Sequence, residues 1–256
     1  VTPYWQSKDG RITIHHGDFR ELEFEEGQFD MVLTDPPYGT QWVSKTGGQR
    51  TEITNDYDNL PMIIESIHRS KIYTKPGSAI LYFCTGSRPD LMVLWLNKFP
   101  YNPPPELLIW EKPGLGMGPR YRRCYETIIV GTSPGEKQRW YGGHSQGNII
   151  KHPRVAPKKD GGHPSPKPVS LVEKLMGNHT TIDDVVWDPF MGEGTTLVAA
   201  SRLHRKAVGI EIEERWCERA VKRLESDEAR PYDGVVVKLG QVGFPEDYYY
   251  ATSSQA

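Results

Sequence analysis

The stretch Phe29-Asp-Met-Val-Leu-Thr-Asp-Pro-Pro-Tyr38 constrains the fold of this chain more than any other. The apolar run Met31 to Leu33 reads as a buried strand, and it stops at Asp35-Pro36-Pro37-Tyr38. Two consecutive prolines cannot continue a sheet ladder, and they hold the backbone extended as it leaves the strand. A carboxylate, a stiff backbone with its carbonyls and an aromatic ring are therefore expected together at the carboxyl end of a strand. Open α/β sheets bind their ligands at that place. Standing alone, the same residues would also describe a strand end followed by a proline turn.

The chemistry such a cluster suits is methylation of a nucleobase amino group. The exocyclic amine of adenine or cytosine is a poor nucleophile because its lone pair is delocalised into the ring. Acceptors on its two hydrogens draw the nitrogen towards tetrahedral geometry and stabilise the positive charge that develops during attack. Asp35 supplies one acceptor and the carbonyl of Pro36 a second, with Pro37 helping to fix both in place. Tyr38 can stack on the base, which must leave the duplex to be reached.

Two further segments join this cluster. Asp188-Pro189-Phe190-Met191-Gly192-Glu193-Gly194-Thr195-Thr196 lies between a predicted strand, Val185 to Trp187, and a predicted helix, Thr195 to Arg202. Gly192 and Gly194 allow a tight turn and close approach of backbone to a ligand, and the helix presents its first amides to that ligand's polar groups. A dinucleotide fingerprint Gly-x-Gly-x-x-Gly is absent, because Leu197 occupies the third position. Glu211, at the end of the next predicted strand, suits the two hydroxyls of a ribose. By itself it would also be an acid at a helix start, since Glu213 and Glu214 follow. The third segment, His163-Pro164-Ser165-Pro166-Lys167-Pro168, precedes a predicted helix over 168–176; alone it would be a proline-stiffened linker.

Together these segments resemble the S-adenosylmethionine-dependent DNA amino-methyltransferases, which methylate adenine N6 or cytosine N4. Asp35 to Tyr38 is similar to their catalytic motif, 188–196 to their cofactor motif, and 163–168 to their His-Pro-x-x-Lys-Pro element. The order, catalytic segment before cofactor segment, resembles the β class, a circular permutation of the common arrangement; the likeness spans roughly residues 11 to 225. It implies S-adenosyl-L-methionine as cofactor, held by Asp188, Gly192, Gly194, Thr195, Thr196 and Glu211. Ser165 and Lys167 are implied as contacts at the methionine end, with Thr34 and Phe190 lining that pocket. Asp18 is implied as an adenine contact, though a turn aspartate explains it equally well.

Charge distribution adds a partner. The net charge is −2, yet residues 111–167 hold eleven Lys and Arg against four Asp and Glu, so a segment of +7 sits on a body of −9. In the β class the target-recognition region lies in that position, and double-stranded DNA is the implied partner. Arg120, Arg122, Arg123, Arg139, Lys151, Arg154, Lys158 and Lys159 are the candidate contacts. An ordinary solvated loop region is the alternative.

The three cysteines, Cys84, Cys124 and Cys217, have neither disulfide nor zinc spacing, and His15, His16, His144, His152 and His163 lack a second ligand at a metal-binding interval. No metal is expected. No stretch reaches the length of a membrane span and no signal-peptide pattern opens the chain, so a cytoplasmic protein is expected, with a homodimer compatible.

The fold expected is α/β and Rossmann-like: a mixed sheet of seven strands, helices on both faces, and a small basic insert over the active site. Residues 1–110 form the catalytic half, 111–162 the insert with some sheet strands, 163–225 the cofactor half and 226–256 a tail. Further predicted strands are 11–16, 79–83, 107–110, 126–130 and 207–210; further predicted helices are 61–72, 88–99 and 213–224. Lys75-Pro76-Gly77 reads as a break, 39–59 as a polar mobile loop and 139–168 as largely irregular. Adenine N6 is the first choice of target, because Asp at the motif's first position is commoner among the adenine enzymes and Ser among the cytosine ones. Cytosine N4, an RNA substrate and a DNA-binding module without turnover are the alternatives.

Overall fold

A computed structural model describes residues 2–38, 43–44, 51–52, 59–85, 88–99, 103–116, 120–155 and 166–232. In chain order the elements are β1 (Trp5–Gln6), β2 (Ile12–His16), β3 (Phe29–Thr34), β4 (Val43–Ser44), β5 (Thr51–Glu52), α1 (Leu60–Tyr73), β6 (Thr74–Cys84) and α2 (Pro89–Leu96). There follow β7 (Glu106–Glu111), β8 (Tyr125–Thr132), β9 (Ile149–Lys151), α3 (Val169–His179), β10 (Val185–Asp188), α4 (Thr195–Arg202), β11 (Lys206–Glu211) and α5 (Glu214–Leu224).

The main sheet has nine strands rather than seven, in the order β1-β2-β11-β10-β3-β6-β8-β7-β9. The five from β2 to β6 are parallel, β1 and β8 pair antiparallel with their neighbours, and β9 runs parallel to β7. The two additional strands are short edges, two and three residues long, with too few positions for an alternating pattern to show. β9 also corrects the irregular reading of 139–168.

Alternate residues of the central strands enter two separate cores. Met31 and Leu33 of β3, Leu81 and Phe83 of β6 and Val186 of β10 pack against Leu171, Val172, Leu175, Leu197 and Ala220 of α3, α4 and α5. Val32, Ile80, Tyr82 and Trp187 point the other way, onto Ile63 and Ile67 of α1 and Leu91 and Trp95 of α2. Strands buried on both faces read as unbroken apolar runs, which is why they were legible.

Lys75-Pro76-Gly77 does not break the chain. α1 ends at Tyr73 and β6 begins at Thr74. The pairing of β3 with β6 jumps from Phe29–Thr74 to Met31–Ala79, so the Pro-Gly segment bulges out of a continuing strand. Within 39–59, β4 and β5 form a two-residue antiparallel ribbon; apart from these strands and Asn59, that segment lies outside the described residues.

Going outward from the centre, β3 is followed by β6 on one side, and β10 by β11 on the other. The connections therefore lead away in opposite directions from β3 and from β10, two parallel strands that pair directly through Met31–Val186 and Val32–Trp187. A crevice opens at the carboxyl ends of strands that diverge in this way. Asp35 and Asp188 stand on its two sides.

Candidate active site

The carboxyl ends of β2, β11, β10, β3, β6, β7 and β9 all point to one edge of the sheet, and antiparallel β8 brings its amino end, Tyr125 and Glu126, to the same edge. An open cleft of about 450 Å³, its mouth included, lies there. Its lining takes Thr34, Asp35 and Phe83 from the first half of the chain, Lys167 and Val172 from the approach to α3 and its first turns, and Asp188, Phe190, Gly192, Thr195 and Thr196 from the loop entering α4.

The two strand ends are joined across the crevice. The Thr34 hydroxyl donates to Asp188 Oδ1 at 2.5 Å, and the Phe190 amide donates to the same oxygen at 3.1 Å. Burial pushes the Asp188 carboxyl up to about 6 in spite of these donors. The loop after it turns through Gly192 and Gly194, both with positive φ, 52° and 77°. At Gly194 a Cβ would meet the Cβ of Ala220 at 2.9 Å, so glycine is needed there for α4 and α5 to pack as well as for the turn.

Glu211 accepts from the amides of Gly192 (3.0 Å) and Glu213 (2.8 Å), which aims its carboxylate along the glycine loop. Burial raises this carboxyl to about 7, against the backbone donors. Asp18 is engaged differently. It caps the turn Phe19–Glu21 and is held by Arg20 Nε at 2.9 and 3.0 Å, the turn-aspartate arrangement.

In Asp35-Pro36-Pro37-Tyr38, Pro36 is buried and Asp35 and Tyr38 are half-buried. Asp35 Oδ1 accepts from the Tyr38 hydroxyl and Oδ2 from the Lys167 ammonium. The Pro37 carbonyl accepts from the Asn59 side chain, which pins the motif to the start of α1. Burial, with Asp35 and Glu126 nearby, holds the Tyr38 hydroxyl well above the ordinary phenol range. Its ring lies 6.2 Å from that of Trp95, tilted by 35°.

The residue that sequence reasoning missed is Glu126. It is the second residue of a strand whose apolar run begins only at Ile128, so it reads as an ordinary polar strand start. The antiparallel course of β8 is what puts it at the site. Glu126 pairs with Lys112 and stands 3.6 Å from Lys167 Nζ. Burial opposes ionisation, yet Lys167 and Lys112 hold its carboxyl below the usual range. Burial likewise opposes charge on Lys167, and Asp35 and Glu126 outweigh it to hold the amine above the lysine range. Four charges of alternating sign, Lys112, Glu126, Lys167 and Asp35, thus run from the end of β7 into the cleft.

Five of the basic candidates flank this edge. Arg120, Arg122 and Arg123 lie in the connection from β7 to β8, a ribbon closed by the Lys112 amide on the Cys124 carbonyl (2.6 Å) and the Gly116 amide on the Arg123 carbonyl (2.7 Å). Lys151 ends β9 and Arg154 follows; all five are exposed. Arg139 is not among them. It pairs at 2.8 Å with buried Asp30, beside Lys75, at the amino end of β3, so it ties strand starts together on the far edge of the sheet. Ser165, Lys158 and Lys159 lie outside the described residues. Among the described residues, no group of three or more His, Cys, Asp and Glu side chains is placed to hold a metal ion, and no helix is long and apolar enough to cross a membrane.

Known proteins are similar to this chain in sequence and in fold. The Type II methyltransferase M2.LlaDCHI of Lactococcus lactis subsp. cremoris is 29% identical over 252 residues, covering 87% of this chain and 91% of the relative. Among solved structures, the cytosine-N4-specific PvuII DNA methyltransferase matches with a TM-score of 0.67 at 17% identity, over 88% of this chain and 89% of that one. The complex of M1.HpyAVI with SAM matches with a TM-score of 0.57 at 24% identity, over 83% and 99%. These two likenesses speak for the fold. The family model described as DNA methylase matches residues 29–222, a span that takes in both the Asp35 and the Asp188 motifs, and the chain belongs to that family, the N6/N4 amino-methyltransferases.

Proposed function

We propose that this protein is a site-specific DNA methyltransferase that transfers a methyl group from S-adenosyl-L-methionine to the N6 amine of an adenine flipped out of the duplex. The observation that carries the reading is the single cleft shared by Asp35 and the Gly192–Thr196 loop. It sets an acceptor for an amine beside a loop suited to an amino-acid nucleoside.

The donor set fits this cofactor. Glu211 retains lone pairs for two ribose hydroxyls beyond the two amides it already accepts. The positive-φ glycines bring backbone close to the cleft, and the first amides of α4 have no partner within the helix. Thr34, Phe190 and Val172 supply a mixed wall for the methionine portion. Bound there, S-adenosylmethionine supplies an electrophilic methyl group on a sulfonium sulfur, which keeps the bonding electron pair.

The protein's own part is orientation and charge. Asp35 and the Pro36 carbonyl accept from the two amine hydrogens, Tyr38 stacks on the base, and Asp35 faces the positive charge as it grows on nitrogen. The methylated amine then sheds a proton, which Asp35 can pass to water, since its side chain keeps 24% exposure. No covalent enzyme intermediate is required. Adenine is favoured over cytosine by Asp at the first motif position.

In this reading residues 1–110 carry catalysis, 111–162 recognise the target and 163–225 hold the cofactor. The molecule acts in the cytoplasm of a bacterium or on behalf of a phage. Single-molecule sequencing of DNA from a methylation-deficient bacterium expressing the protein tests the whole proposal. Adenine modified at one recurring sequence supports it; modified cytosine would replace the target base, and unmodified DNA would overturn the reading.

If Arg120, Arg122, Arg123, Lys151 and Arg154 meet phosphates, log affinity for duplex DNA should fall linearly with log salt, with a slope of about −3 to −5. Fluorescence anisotropy between 50 and 300 mM salt measures this, and a flat line would remove the interface.

Glu211 should make cofactor binding depend on pH. Raised to about 7, its carboxyl is largely protonated at pH 6 and ionised at pH 8. The ionised form accepts charge-assisted bonds from both ribose hydroxyls, so cofactor affinity should rise with pH through about 7 and then level. Glu211→Gln should bind more weakly and lose that pH dependence in calorimetry. A wild-type profile as flat as the variant's would separate Glu211 from the ribose.

A further inference from the structure

As the amine's acceptor, Asp35 would have to give up a cation that it already holds. In this structure the Lys167 ammonium sits on Asp35 Oδ2, and the Tyr38 hydroxyl on Oδ1. A cation held there competes with the base's amine for the carboxylate. It would also repel the positive charge that the amine acquires during attack. Lys167 is buried, so it cannot simply swing out to water.

One alternative position is within reach. Glu126 Oε2 is buried and makes no hydrogen bond, and it lies 3.6 Å from Lys167 Nζ. An approach of roughly 0.5–1 Å would turn that separation into a charge-assisted hydrogen bond. The other oxygen of Glu126 stays on Lys112. The faces of Tyr38 and Phe83, 5.9 and 5.4 Å from Nζ, border the path, and aromatic faces tolerate an ammonium. No proton changes hands, and the four charges remain balanced throughout.

We propose that Lys167 is a positioning residue that guards Asp35 and moves to Glu126 Oε2 as the target amine arrives. Before the base enters, the lysine holds the catalytic carboxylate in place. Afterwards Glu126 holds the lysine away from the reacting nitrogen. Glu126 acts through Lys167 and touches neither base nor cofactor. This inference rests on the role given to Asp35 under the proposed function.

A double-substitution cycle in the full-length protein tests it, reading kcat and KM for unmethylated genomic DNA, together with S-adenosylmethionine affinity by calorimetry. Glu126→Gln removes the charge that draws the lysine off, so kcat should fall about tenfold or more while cofactor affinity stays within about threefold. Lys167→Met should keep measurable turnover, because the amine meets an unguarded carboxylate. Adding Glu126→Gln to that background should change kcat by less than about threefold.

An equal loss from Glu126→Gln in both backgrounds would overturn the proposal, as would a parallel loss of cofactor affinity. So would turnover in Lys167→Met as low as in Asp35→Ala. Lys112→Met gives a check of opposite sign that does not depend on Glu126→Gln folding. It removes the competing ammonium from Glu126, and kcat should hold or rise; a tenfold fall would contradict the transfer. Asp35→Ala, run in parallel, separates the two levels. If it remains active, the role of Asp35 fails. If it is inactive and the cycle is additive, the lysine transfer alone fails.

Discussion

Asp35→Ala is expected to lower kcat for methyl transfer by at least about two to three orders of magnitude, the range seen when a preorganised group facing transition-state charge is removed. Its carboxylate is the anionic acceptor at the tip of β3, and the growing charge on the amine has no equivalent partner in the alanine variant. Cofactor affinity should stay close to wild type, because Glu211 and the Gly192–Gly194 loop belong to the β10–β11 side of the crevice. DNA affinity should also persist, since the exposed arginines lie on the β7–β8 ribbon. The variant keeps Lys167 beside Glu126, so its fold should survive, and circular dichroism with thermal melting checks that. Loss of cofactor binding together with turnover would mean that Asp35 supports the cleft rather than the chemistry.

The largest effect on stability is expected from Trp187→Ala. Trp187 is fully buried one residue before Asp188, stacked on Phe29 with centroids 5.4 Å apart and planes 8° from parallel. Phe24 and Tyr73 meet its ring edge-on at 5.8 and 5.6 Å. Removing the indole leaves a cavity between the sheet and α1, with a cost of about 3–5 kcal/mol. Urea unfolding followed by circular dichroism measures it. The partners hold β3, β10 and α1 together, and Trp187 directly precedes Asp188 at the crevice, so turnover should become heat-sensitive before cofactor affinity changes at low temperature. A loss under about 1 kcal/mol would show that the neighbours collapse into the space.

Much of this architecture was legible because burial leaves a plain mark. Central strands such as β3, β6 and β10 are covered on both faces and show unbroken apolar runs. The loop Asp188–Thr196 shows its glycines where the backbone takes positive φ. The pairing of β3 with β10 was also within reach, since the ends carrying Asp35 and Asp188 had to meet for one cleft to hold both groups.

What was not legible depended on long-range placement. β9 is three residues long with one buried position, so no period could announce it. Arg139 looks like any cation of a basic stretch, and only the folded chain takes it to Asp30 at the far edge. Lys167 and Glu126 are 41 positions apart and meet because β8 runs against its neighbours. Local spacing names residues; the course of the strands decides which of them share a site.

The central claim, methyl transfer to adenine N6 of DNA, is tested most directly by mass spectrometry of nucleosides from duplex DNA incubated with the protein and S-adenosylmethionine. N6-methyldeoxyadenosine, absent when Asp35→Ala replaces the wild type, is the expected result. N4-methyldeoxycytidine would keep the fold, the cofactor and the role of Asp35 while changing the target base. DNA of diverse sequence that carries neither product would contradict the account.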